Sequence, residues 1–232
     1  MRPFEAPARR RVWSRSWQAA VALLLVFAPV VVAETATAPR AAVTLGTGSE
    51  LWIEGKSTVH EWHSRTSSLG FALMRDAAQA DPADAAALDA WLRAGGLRGL
   101  DLVVPLATMR SGKPALDKNM LKALRAEKYP EIHFALSAAR LGTAHGDTLP
   151  VSAEGALTVS GVTHAITVKG QLLHSDKGVR LEGSHTLRMT EYEVKPPVMM
   201  LGTLRVADPI TILFRLLLVP GEAGGTTSVS KH

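Results

Sequence analysis

The chain has 232 residues, 47% hydrophobic and 20% charged, with a net charge of +5 at pH 7 and no cysteine. This is ordinary usage for one substantial globular domain and argues against a disordered chain or a polytopic membrane protein. Disulfides, thiolate catalysis, iron–sulfur clusters and Cys-ligated zinc are excluded, so the fold must hold by burial alone.

Residues 1–33 read as a cleaved secretory signal. Arg9, Arg10, Arg11 and Arg15 precede an apolar run from Ala19 to Val32, and Val31-Val32-Ala33 offers small residues for cleavage. The run is 14 residues long, short of the roughly 20 that a spanning helix needs; an uncleaved anchor is the alternative. "RRRVW" is also a loose twin-arginine candidate, with no cofactor motif to require that route. The segment holds five Arg and one Glu, which leaves +1 for the remainder. No basic stripe then supports nucleic-acid binding, and the expected location is the periplasm.

Residues 34–48, small and polar, are expected as a flexible arm, residues 49–220 as the folded domain and residues 221–232 as a disordered tail. "LWIEGKSTVHEW" and "SSLGFALMR" read as two antiparallel strands with a bulge or bend at Gly55. "DPADAAALDAWLRAGG" predicts a helix from about Pro82 to Ala94, with Asp81 as its cap and Gly95-Gly96 as its stop. Leu88, Trp91 and Leu92 form its apolar face.

"LRGLDLVVPLATM" is strand-like and leads through the turn "RSGKP" to a second helix, "LDKNMLKALRAEKYP", capped by Asp117 with Met120, Leu121 and Leu124 on one face. From Glu131 onward the chain reads as successive strands. In "GALTVSGVTHAITVKGQ", Leu157 and Val159 oppose Ala156 and Thr158, and Ile166 and Val168 oppose Thr167 and Lys169. Antiparallel strands at this spacing close most economically as a barrel or sandwich, because closure removes exposed edges.

Two stretches invite a functional reading. In "STVHEWHS", His60 and His63 suggest metal, but strand parity sends them to opposite faces. His60 and Trp62 then share a face, where they either close a barrel end or orient a ligand head group. In "EYEVKPPVMMLG", Pro196-Pro197 precedes the apolar residues Val198, Met199, Met200 and Leu201. These are either an adaptable surface for a flexible chain or ordinary core beneath a loop. There is no G-x-S-x-G elbow, no H-E-x-x-H and no phosphate loop, so no catalytic role and no metal site is expected.

Four ordered phrases resemble the YceI-like family of secreted polyisoprenoid-binding proteins: "GKSTVHEW", "MRSGKPALDKNMLKALRAEKYPEIHFAL", "GALTVSGVTHAITV" and "MTEYEVKPPVMMLGTLRVADPITILF". They span roughly Leu51 to Val219. His164 stands where that family usually has Lys, and Pro82 to Gly96 reads as an insertion. The resemblance implies a mainly β fold, an extended lipocalin-like antiparallel barrel of about eight strands with one or two short helices and a long apolar cavity. It implies an isoprenoid or fatty ligand and no cofactor beyond such a bound lipid.

The candidate ligand-binding residues are His60, Trp62, Phe71, Met120, Leu124, Phe134, Met189, Tyr192, Met199, Met200 and Phe214. Transient membrane contact and a monomeric or homodimeric state complete the expectation. The alternative is a non-catalytic structural or protein-interaction barrel filled by its own side chains. Inward-facing residue size discriminates the two readings.

Overall fold

The structure is a computed structural model that describes residues 43–73, 80–199 and 203–221. The expected signal at 1–33, the arm up to residue 42 and the tail from 222 lie outside the described residues.

One antiparallel sheet dominates. Its strands are β1 (Val43–Leu45), β2 (Glu50–Ser57), β3 (Glu61–Thr66), β4 (Gly70–Leu73), β5 (Leu100–Pro105), β6 (Glu131–Leu141), β7 (Thr148–Val159), β8 (Val162–Ser175), β9 (Gly178–Arg188), β10 (Val198–Met199) and β11 (Leu204–Pro220). Nine of them run in the order β3-β2-β11-β9-β8-β7-β6-β5-β4, and the short β1 and β10 both pair with β11. The sheet curls into a half-barrel. An isolated bridge joins Arg65 on the end strand β3 to Arg110 in the segment after β5, and the Thr66 and Thr108 hydroxyls meet at 2.7 Å.

The path has nine strands against about eight expected, because "LWIEGKSTVHEW" folds back on itself into β2 and β3. Ser57 Oγ donates to the His60 carbonyl at 2.8 Å and accepts from the His60 N–H at 3.2 Å, making a turn between β2 and β3. The pair expected between this segment and "SSLGFALMR" does not form: β2 lies between β3 and β11, and β4 pairs with β5. The register break lies opposite Gly55, on β11 between Val206 and Ile210. A second correction concerns the arm. Residues 43–45, expected to be loose, are ordered as β1 against Leu218–Pro220 of β11, with Val43 fully buried.

Helix α1 (Ala85–Trp91) begins at Asp84, whose carboxylate accepts from the Ala87 N–H at 2.8 Å, so Asp84 rather than Asp81 is the cap. One π turn (Leu92–Gly96) follows, with Gly95 inside it in a left-handed conformation, φ 92°. The expected face holds: Leu88, Trp91 and Leu92 are buried, and α1 packs on β9 and β11. Helix α2 (Pro114–Ala123) starts three residues before Asp117. Asp117 instead sits in the first turn and accepts from the Ser111 N–H at 2.9 Å and its hydroxyl at 2.5 Å. No described helix is long and apolar enough to cross a membrane.

Beyond α2, Arg125 takes a left-handed conformation, φ 53°. Its guanidinium donates to the Ser160 carbonyl at 2.7 Å, and the Ser160 hydroxyl donates to the Leu124 carbonyl at 2.6 Å. Ser160 and Gly161 form the two-residue β7–β8 turn with φ of 50° and 83°, the positive values such a hairpin demands. The hairpin tip is thereby fastened to the end of α2, which holds the helix across one end of the curled sheet.

Candidate functional site

The concave face carries the side chains that strand alternation sends inward. Ile166 and Val168 face in, while Thr167 and Lys169 are exposed. On β6 the register shifts between Leu136 and Ala138, and the intervening Ser137 hydroxyl donates to the Glu154 carbonyl at 3.0 Å. That bulge resets the alternation, so Phe134, Leu136 and Ala139 all face the interior.

Two chambers result. The first, about 100 Å³, is lined by residues of β2, β5–β9 and β11, including Leu51, Leu102, Phe134, Leu157, Leu181 and Phe214. Leu97, just after the π turn, joins its wall, and among the described residues His185 is its one titratable side chain. The second, about 70 Å³, lies under α2, with Trp62, Ser64, Met120, Leu124, Met189 and Tyr192 in its lining. Ile53, Ile132 and Ile212 belong to both walls. These three isoleucines form a waist between the chambers.

Three inward aromatic rings keep the interior open. Trp62 on β3 covers Gly55 on β2, Phe134 on β6 covers Gly155 on β7, and Phe214 on β11 covers Gly183 on β9. Each ring occupies the room that a Cβ on the neighbouring strand would need: Phe214 Cζ would stand 2.5 Å from a Cβ at position 183, and Phe134 Cζ 2.7 Å from one at 155. Glycine in these strands therefore serves close approach, and the rings lie along the wall.

The sequence-derived candidates divide clearly. Phe134 and Phe214 line the first chamber; Trp62, Met120, Leu124, Met189 and Tyr192 line the second. Phe71 packs against the core without lining either chamber. His60 is a correction: it lies exposed in the β2–β3 turn and shares no strand face with Trp62, because the Ser57 hydroxyl closes the turn one residue before β3 begins. His63 points outward as expected. The side chain of Met199 and all of Met200 lie outside the described residues.

Sequence reasoning missed the waist isoleucines and Ser64. Strand alternation gives the isoleucines' faces, but only the curl of the sheet brings Ile53, Ile132 and Ile212 together. Ser64 is 1% exposed, and neither its hydroxyl nor the buried Trp62 Nε1 has a hydrogen-bond partner. Tyr192, also 1% exposed, stacks edge-on against His164 with ring centres 4.9 Å apart. Burial, aided by the neighbouring Glu191 carboxylate, pushes its phenol above the usual 10.0. The His164 Nε2 lies 2.9 Å from the Glu191 carbonyl oxygen, so this departure from the expected Lys ties β8 to the Met189–Tyr192 turn.

Against known proteins, the model of the YceI-like domain matches residues 53–218. No curated protein matches the chain. Among solved structures, BcnA of Burkholderia cenocepacia is similar at 16% identity and a TM-score of 0.56, over 76% of this chain and 99% of that one. A polyisoprenoid binding domain from Saccharophagus degradans, implicated in plant cell wall breakdown, is similar at 13% identity and a TM-score of 0.56, over 78% and 99%. At these identities the likeness shows the fold.

Proposed function

We propose that this chain, which belongs to the YceI-like domain family, is a periplasmic lipid-binding protein that holds one long apolar chain, isoprenoid in class, within its curled sheet. The fold supports a lipid-binding role, and the tripartite pattern of residues 1–33 supports export. The observation that carries the reading is the arrangement of Trp62, Phe134 and Phe214 over glycines. A self-filled barrel would turn these rings into its centre; here they form walls around two chambers that meet at Ile53, Ile132 and Ile212. The Saccharophagus degradans relative is described as a polyisoprenoid binding domain, which supports the same ligand class.

Each buried CH₂ is worth about 0.8 kcal/mol relative to water, so a chain of many carbons has a large gross driving force. In the envelope, however, such a lipid starts in a membrane and exchanges one apolar surrounding for another. The net preference is small, which suits a carrier or buffer rather than a trap. The chambers are modest, and a longer chain requires the isoleucine waist to yield.

N-phenyl-1-naphthylamine, a dye that fluoresces only in apolar surroundings, tests the reading. One dye per chain, displaced by farnesol, is the expected result. No uptake at any dye concentration would contradict it.

A further inference from the structure

We infer that Trp62 and Ser64 form the head-group site of the second chamber and select a ligand ending in an uncharged carbonyl oxygen. The inference rests on the lipid-binding reading above. Both residues lie on β3, two apart and so on the same face, and both belong to the chamber wall. Trp62 Nε1 and Ser64 Oγ are shielded from solvent and meet no hydrogen-bonding group among the described residues. Ser64 itself is 1% exposed.

Unpaired polar atoms buried among apolar side chains are costly, and a native fold that keeps two of them on one strand face has a reason for doing so. An indole N–H only donates, and a hydroxyl can donate. Their shared complement is an acceptor oxygen carried into the chamber by a ligand.

The charge of that oxygen follows from the rest of the wall. Among the described residues, no Lys, Arg, His, Asp or Glu lines the second chamber. A phosphate or carboxylate would lose its hydration there and gain no counter-charge, a severe penalty in an apolar surround. A ketone, quinone, ester or amide carbonyl loses far less and gains two donors. The other polar side chains on the described wall are Asn119 and Tyr192, and neither supplies a positive charge.

Three probes of similar chain separate the alternatives: farnesylacetone with a neutral carbonyl, farnesyl phosphate with an anionic head, and β-farnesene with none. Binding is measured by dye displacement from the wild-type protein and from Trp62→Phe and Ser64→Ala. Trp62→Phe keeps a ring over Gly55 and removes the N–H; Ser64→Ala removes an orphaned hydroxyl and leaves the fold intact. Farnesylacetone is expected to bind about tenfold tighter than β-farnesene in the wild type, with about half of that advantage, on a logarithmic scale, lost in each variant. The infrared carbonyl band of bound farnesylacetone should lie at lower wavenumber in the wild type than in Trp62→Phe, a readout independent of stability.

Equal affinity for farnesylacetone and β-farnesene would overturn the head-group site and leave the lipid-binding reading standing. Tightest binding of farnesyl phosphate would also overturn it. If none of the three binds, the lipid-binding reading itself fails and the head-group site with it.

Discussion

The indole of Trp62 lies across Gly55, its direct partner in the β2–β3 ladder, so closely that any Cβ at position 55 would overlap the ring. The pair fixes the ring against the wall and leaves the second chamber open. Gly55→Ala should therefore push the indole into the chamber or out toward solvent. The expected cost is about 1–3 kcal/mol of stability from overpacking, read as a lower melting temperature, with a red-shifted tryptophan emission and weaker dye uptake. Unchanged uptake would separate the ring's position from the binding space.

His60 and Ser57 make an opposite contrast. The imidazole is exposed and the turn is closed by backbone groups of His60 and the hydroxyl of Ser57. His60→Ala should shift stability by less than about 0.5 kcal/mol, as an exposed substitution does, and leave lipid uptake unaltered. Ser57→Ala should cost about 1 kcal/mol. Chemical denaturation of both variants checks the ranking.

The isoleucine waist sets how far a chain reaches. Ile132→Ala joins the two chambers by removing one of three shared wall residues, at a cost of roughly 2–4 kcal/mol. Affinity should then rise with chain length beyond the point where the wild type levels off, measured with a series of polyprenols. A parallel length dependence in both proteins would remove the waist from the account.

Tyr192 gives the protein an alkaline limit. Its folded pKa is raised by burial, and Glu191 adds to the shift. The neutral phenol is thus favoured in the fold, its contribution is intact below the unfolded value of about 10, and it is lost as pH rises through the higher folded value. Stability should fall above pH 10, and Tyr192→Phe should flatten that fall. Denaturation midpoints in alkaline buffers on the two proteins provide the comparison.

Much of this interior was legible in the sequence. Alternation in β7 and β8 set Leu157 with Val159 and Ile166 with Val168 on shared faces, and the curl of the sheet turns those faces to the chambers, since period-two patterning survives in long strands. The apolar face of α1 was readable from the i, i+3, i+4 spacing of Leu88, Trp91 and Leu92, all of them buried. The β2–β3 turn was not: Ser57-Thr58-Val59-His60 contains no Gly, Asn or Asp, and a side-chain bond does the work that turn residues usually advertise. Order in β1 escaped notice because it depends on β11, some 170 residues away in sequence. Ser64 looked like any strand serine until burial exposed its unpaired hydroxyl.

Native mass spectrometry of the protein, secreted by a bacterial host and purified without detergent, tests the central claim most directly. The expected result is a second mass population heavier by one lipid per chain, released by organic solvent and restored by added polyprenol. A single ligand-free mass that polyprenols leave unchanged would contradict it.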